Sequence, residues 1–154
     1  MIDQAGILMA QGLGIASERI QGVNDNMSQS HYHEYYEIYY LEAGERFHMV
    51  EDQLYKMEAG EFMIFPPYVM HHSYGEENIP FKRLLLYFKP EEILWPSVRD
   101  ALKEESGIYR ADIKKRQEIH RVMEDILKEQ KDPGAFHEEY DRGMLNVLLL
   151  LIAR

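Results

Sequence analysis

The stretch His31–Gly44 reads HYHEYYEIYYLEAG, and the spacing of its polar residues decides how the rest of the chain is read. Its aromatic and β-branched content marks a strand. In an extended strand side chains two apart share a face, so His31, His33, Tyr35, Glu37 and Tyr39 look the same way. Two imidazoles and a carboxylate on one face either converge on something inside the protein or decorate a wet surface. His-x-His alone does not choose between these, and the answer has to come from the residues around it.

The chain has 154 residues, 45% of them hydrophobic and 12% aromatic, the size and balance of one globular domain around a single core. It contains no cysteine. A disulfide framework, a thiolate metal centre and a cysteine nucleophile are therefore excluded, and any metal must be held by histidine and carboxylate. The N-terminal MIDQAGILMAQGLG carries an acid where a signal peptide carries basic residues, and no nearby apolar run approaches the roughly 18 residues of a membrane span. These features predict a cytoplasmic protein with no membrane partner.

The net charge of −10 argues against nucleic acid as a direct partner of these residues, because phosphate neutralisation needs clustered Lys and Arg. No basic half is hidden in the total: residues 1–90 balance to −7 and residues 91–154 to −3. The densest positive run, Lys114–Arg116, sits at helical spacing from Asp112 and Glu118 and reads as a solvated helix face.

Two periods divide the chain. Up to about residue 89, short β-like runs (EIYYLEAGE, RFHMV, QLYKM, FMIFPP, FKRLLLYFK) alternate with turn signals, which predicts an all-β sandwich or barrel. Pro66 and Pro67 belong at a strand end or edge, since proline cannot donate to a ladder. From Pro90 onward the period becomes helical. Ile119, Val122, Met123, Ile126 and Leu127 make one apolar face. Asp132-Pro133 reads as an N-cap followed by proline in the first helical position, opening a second helix with Phe136, Tyr140, Met144, Val147, Leu148 and Leu151 on one stripe. The resulting division is a β-domain over 1–89, with an N-terminal arm whose residues 1–16 are left unassigned, and a helical segment over 90–154.

The last helix also carries Leu145, Leu149 and Ile152 off its main stripe, a wider apolar arc than packing against one sheet requires. The expectation is a helix buried on two sides, with Met144, Leu145, Val147, Leu148, Leu149 and Ile152 forming a homodimer contact. The sequence ends at Arg154 still in helical register, which reads as the front of a longer protein.

The opening question turns on a third histidine. Fifteen residues separate Gly44 from Gly60, room for one hairpin, and GEFMIFPPYVMHH then brings His71 or His72 round. Neighbours on a strand face opposite ways, so only one of them can join the set. Imidazoles and a carboxylate in that number suit a first-row divalent metal. From its histidines onward, His31-x-His33-x3-Glu37-x6-Gly44 resembles the first motif of the cupin superfamily, and Gly60-x5-Pro66-x4-His71 resembles most of the second. The resemblance implies a small jelly-roll barrel, or double-stranded β-helix, in which His31, His33, Glu37 and His71 ligate one divalent transition metal such as Zn, Ni, Fe or Mn. Tyr68 stands where the second motif usually has glycine, and Gly75 where it usually has asparagine. Such loosened motifs are common in cupins that bind without catalysing.

A narrower match covers nearly the whole chain. HYHEYYEIYYLEAGE, YKMEAGEFMIFPPYVMHH and FKRLLLYF, followed by two helices ending LLLLIAR, resemble the N-terminal regulatory domain of AraC-type bacterial transcriptional regulators. That resemblance implies a mainly β barrel with C-terminal α: the barrel binds a small effector, often a sugar, and two to three helices dimerise. DNA is contacted through a separate helix-turn-helix domain that lies outside these residues. Tyr35 and Tyr39, with His31 and His33, are candidates for a ligand pocket, and a pocket of histidines, a glutamate and tyrosines suits a polar, hydroxylated effector. Phe62, Ile64, Leu84, Leu86 and Phe88 read as packing residues; His48, His120 and His137 receive no role. The expected function is a non-enzymatic sensing and dimerisation domain with no catalytic residue. The alternative is a small metal-dependent cupin enzyme, an isomerase or dioxygenase, which has little use for some sixty residues of helix.

Overall fold

A computed structural model describes residues 3–23, 31–103, 108–109 and 111–154. Ile15–Gly22 (β1), Tyr36–Ala43 (β2), Glu45–Val50 (β3), Gln53–Glu58 (β4), Phe62–Phe65 (β5), His71–Tyr74 (β6), Phe81–Phe88 (β7) and Ile108–Tyr109 (β8) pair in antiparallel fashion. They form a five-stranded sheet, β1-β7-β2-β5-β8, and a three-stranded sheet, β4-β3-β6. Gln4–Ala10 (α1), Pro96–Lys103 (α2), Ile113–Lys131 (α3) and His137–Ala153 (α4) are the helices. The strands from β2 to β7 fall within the β-like stretch expected up to about residue 89, and Pro66 follows the last residue of β5, where it costs no ladder bond. Residues 24–30, which belong to the β-domain as read from sequence, lie outside the described residues.

The larger sheet is covered on both faces. One face of its strands, with Tyr39 and Leu41 from β2, Met63 and Phe65 from β5, and Leu85 and Tyr87 from β7, packs with Val50 and Met57 of the smaller sheet. The opposite face, with Tyr36, Ile38, Tyr40, Phe62, Ile64, Leu84, Leu86 and Phe88, packs under the helices. Six of the eight residues of β2 are buried and six of the eight of β7, so these strands lack the polar side of a half-wet sheet. Gly44 makes the β2–β3 turn at φ +86, and a Cβ there would lie 2.4 Å from the Pro80 carbonyl oxygen. Only glycine fits that corner.

The unassigned N-terminal residues contain a helix. Asp3 caps α1 by accepting from Gly6 N at 2.6 Å, Glu18 of β1 accepts from Gln4 N at 2.7 Å, and Ala5 and Met9 join the inter-sheet cluster. The Tyr87 hydroxyl donates to Asp3 Oδ2 at 2.7 Å, fixing the start of α1 beside β7.

The helical segment packs on the barrel, its buried residues sharing one cluster with the larger sheet. Ile119, Val122, Met123, Ile126 and Leu127 of α3 are buried against the sheet as the periodicity predicts, and β8 adds an edge strand beside β5. Two readings need correction. Asp132 is the C-cap of α3 and not an N-cap; α4 opens at His137 after Phe136 adopts a left-handed conformation, φ 59, that breaks the helix path. The faces of α4 are also exchanged. Leu145, Leu148, Leu149 and Ile152, four of the six residues expected in a dimer contact, are packed inside the protomer's own core, while Phe136, Tyr140, Val147 and Leu150 are exposed. Met144 and Leu151 sit at the edge of that core. The sheet-facing stripe is hidden in the sequence because two polar residues lie in it. Asp141 and Asn146 are buried, and the Asn146 side chain pins the chain before α2 by accepting from Leu94 N and donating to Glu92 O, both at 2.9 Å.

Candidate functional site

His31 lies directly opposite His71 across an isolated antiparallel bridge, with His31 N donating to His71 O at 3.0 Å and His71 N to His31 O at 2.9 Å. His71 opens β6, and His72, at the next position, takes the other parity. Glu37 is the second residue of β2 and is 4% exposed; His33 precedes the same strand. His31, His33, Glu37 and His71 each bring one ligand atom within 4.8 Å of all the others. Glu37 Oε1 stands 3.3 Å from His71 Nε2 and 3.6 Å from His33 Nε2. The four residues singled out in the sequence therefore converge.

The hydrogen bonds around His71 show what the cluster lacks. Its Nδ1 is 3.0 Å from the Val69 carbonyl oxygen, an acceptor only, so Nδ1 carries the proton and Nε2 of the neutral ring offers a lone pair. That lone pair faces Glu37 Oε1, and neither buried atom has a hydrogen-bond partner. Each buried polar atom left unmatched costs ~1–3 kcal/mol, and two facing acceptors repel unless a proton on His71 Nε2 or a metal cation stands between them. Burial lowers the affinity of His71 for a proton, but the Glu37 carboxylate outweighs it and holds the ring above its ordinary range. Burial raises Glu37, and the neighbouring His71 and His33 more than reverse this, leaving its carboxyl at about 2. His31 is driven down to about 4, first by burial and then by the charge of His71, and His33 is lowered mainly by burial. His31 and His33 are therefore neutral at pH 7, the form in which imidazole ligates.

A divalent metal fits this set. Two ligands each ~2.1 Å from a common ion stand roughly 3.0–3.4 Å apart in tetrahedral or octahedral geometry, close to the observed Glu37 spacings, and one cation answers both orphaned atoms. The walls are aromatic. His33 stacks on Tyr35 at 4.6 Å and lies 5.3 Å from Tyr87, and His71 stacks on Phe65 at 4.2 Å.

A second triad, Glu42, His120 and Glu124, is also drawn together. Arg19 donates to both oxygens of Glu42 at 2.8 and 2.9 Å and meets Glu124 as well, so this triad already has its positive charge. It ties β1 and β2 to α3.

A family model for the AraC-like ligand-binding domain matches residues 15–149. The chain belongs to that family. No curated protein sequence matches it. Among solved structures it is similar to a cupin protein from Bacteroides fragilis at 16% identity and TM-score 0.49, over 64% of this chain and 80% of that one. A putative mannose-6-phosphate isomerase from Ralstonia eutropha aligns at 16% identity and TM-score 0.46, over 49% and 75% of the two chains. A Bacillus subtilis oxalate decarboxylase studied for its Mn(II) centres aligns at 18% and 0.44, over 52% and 22%.

Within this AraC-like domain the tyrosines divide. Tyr35 is partly open beside His33 and Tyr87, whereas Tyr39, 1% exposed, lies inside the barrel core with its hydroxyl lacking a hydrogen-bond partner. Two further polar groups face the barrel interior, His48, given no role from the sequence, and Arg83, not singled out there. His48 on β3 is completely buried, both ring nitrogens lack partners, its ring meets Tyr39 edge-on at 4.4 Å, and burial pushes its pKa down to about 3. Arg83 on β7 points inward, its guanidinium carbon 5.5 Å from the Tyr39 ring centre, with Nε unpartnered. The signal was the parity of Arg46, His48 and Val50, which repeats along RFHMV. Both departures from the cupin motif have a physical place. Tyr68 adopts φ +67, the left-handed conformation that glycine takes without cost, and a Cβ at Gly75 would lie 2.9 Å from Arg46 Nη1. No helix among the described residues is long and apolar enough to cross a membrane.

Proposed function

We propose that the chain is the effector-sensing and dimerisation part of an AraC-type bacterial transcriptional regulator, and that a small polar ligand, sugar-like in its hydroxyl groups, seats in the barrel against His31, His33, Glu37 and His71. The observation that supports this reading is the pair of orphaned buried atoms, Glu37 Oε1 and His71 Nε2, aimed at one point in a domain of the AraC-like ligand-binding family. His31, His33, Glu37 and His71 would hold one divalent transition metal; when bound it supplies a Lewis-acid centre to which a ligand oxygen can add. The chain's own part is to keep His71 in one tautomer through Val69, to hold Glu37 ionised, and to offer the partly open Tyr35, beside His33, as an aromatic contact for a sugar ring. In this reading DNA contact falls to another segment of the regulator, consistent with the net charge of −10, and the exposed stripe Tyr140, Val147 and Leu150 on α4 makes the dimer contact.

A thermal-shift screen tests the reading. Carbohydrates and polyols at a hundred times their dissociation constant should add about 2.7 kcal/mol to stability, and long acyl compounds should not. Elemental analysis of untagged protein should find Zn, Ni, Fe or Mn, absent from a His31→Ala, His33→Ala variant. Stabilisation by hydrophobic compounds alone would sink the polar-effector reading, and turnover of the bound compound would favour the metal-dependent isomerase or dioxygenase.

A further inference from the structure

A cleft of about 570 Å³ lies outside the barrel, between the Gly12–Gly14 turn that leads into β1 and the first two turns of α4. Its rim carries Glu92, Glu138 and Glu139, with Arg142 as the one guanidinium, and its lining includes Asp141. Arg142 is already engaged, its Nη2 donating to Glu91 O at 3.0 Å and its Nε 3.7 Å from Glu92 Oε2.

Asp141 separates this cleft from an ordinary acidic surface. It is 6% exposed, and its Oδ1 is buried with no hydrogen-bond partner. The other oxygen lies 3.4 Å from His137 Nε2, and the far nitrogen of that ring lies 3.5 Å from Glu129 Oε1, so one imidazole stands between two carboxylates. Burial pushes the Asp141 carboxyl up to about 6, a shift His137 only partly offsets. A buried carboxylate whose neighbouring imidazole is shared with Glu129, and whose second oxygen has no partner, is under-compensated and invites a cation from outside.

The form of that cation follows from the spacing of the acids. Among the described residues, groups of three or more potential metal ligands converge at only two places, the barrel cluster and the Glu42 triad, and neither is here. The acids of the cleft are spread along its walls. The lining between them is Gly12, Gly14, the exposed Leu13 and the buried Ile15. Separated negative charges with glycine and aliphatic lining between them match positive charges separated by methylenes, and the volume falls in the range of roughly 300–1,000 Å³ common to small-molecule sites. The positive end of the α4 dipole is met by Glu138 and Glu139 in its first turn, which removes the usual preference of a helix N-terminus for anions.

We infer that this cleft binds an aliphatic diamine or polyamine, with one ammonium group on Asp141 Oδ1 and the other toward Glu92 and Glu139, as a second small-molecule site independent of the barrel. Calorimetric titration with putrescine and spermidine at fixed ionic strength tests it, with magnesium chloride at matched ionic strength as the control for general attraction to a chain of net charge −10. The expected result is saturable one-to-one binding that magnesium does not reproduce. Asp141→Asn should weaken it at least tenfold. Leu13→Lys, at an exposed lining position that leaves Asp141 untouched, should block it by placing the chain's own ammonium in the cleft. Glu118→Gln on α3 should leave it unchanged. Absence of saturable binding, equal binding by magnesium, or wild-type affinity in both folded cleft variants would overturn the inference.

Discussion

Replacing Arg19 by methionine removes the cation that ties the barrel to its helices. Arg19 Nε and Nη2 donate to the two oxygens of Glu42 at 2.8 and 2.9 Å, Nη2 also reaches Glu124, and His120 Nε2 lies 2.6 Å from Glu42 Oε2. The Glu42 side chain is 10% exposed and that of Arg19 25%. Charge-assisted hydrogen bonds are worth about 1.5–3 kcal/mol each when dry, and screening at a quarter-exposed guanidinium trims that, so losing the fork and leaving Glu42 uncompensated should cost about 2–3 kcal/mol. For a chain of this size the melting temperature should fall by roughly 5–10 °C. Urea unfolding of wild type, Arg19→Met, Glu42→Gln and the double variant should give a coupling energy of about 1–2 kcal/mol. The deficit should also depend on pH. Burial raises the Glu42 carboxyl, but the bonds from Arg19 and His120 hold it below its ordinary value. A carboxyl lowered in the folded state stabilises above its unfolded pKa of about 4.5 and ceases to as pH falls through the folded value, so the Arg19→Met deficit should shrink in acid. A cost below about 0.5 kcal/mol at pH 7, or no coupling, would refute the clamp.

The exchanged faces of α4 make a paired prediction: Leu148→Glu, at a fully buried core position, should prevent folding, while Val147→Glu should leave the fold intact and convert a dimer to monomers by light scattering. Val147→Glu protein that stays dimeric would move the contact elsewhere. The two left-handed corners should respond in opposite directions to substitution. Gly44→Ala, driven against the Pro80 carbonyl at 2.4 Å, should cost about 3 kcal/mol, whereas Tyr68→Gly at φ +67 should gain roughly 0.5–1 kcal/mol in urea unfolding after the entropy of the unfolded glycine is counted.

β-prone runs bounded by turn residues made the strands from β2 to β7 legible, and the spacing of three histidines and Glu37 made the converging cluster legible, because a strand's geometry translates sequence parity directly into a shared face. The helical layer resisted for a different reason. Asp141 and Asn146 occupy the buried side of α4 and Val147 and Leu150 the exposed side, so counting apolar residues selected the wrong stripe. Asp132-Pro133 has the composition of a helix start, yet the chain turns there and passes through Phe136, whose left-handed backbone no propensity rule anticipates. His48 reads as one histidine in a polar context and Arg83 as half of a Lys82-Arg83 pair, so neither shows from sequence that it faces the barrel interior.

The central claim, that a polar effector seats on Glu37 and the three histidines, is tested most directly by calorimetric titration of a stabilising carbohydrate or polyol into wild-type and Glu37→Gln protein. The account predicts one-to-one binding by the wild type and at least tenfold weaker binding by the variant, which keeps the size of the side chain and removes its charge. Equal affinity in a folded Glu37→Gln protein would contradict it.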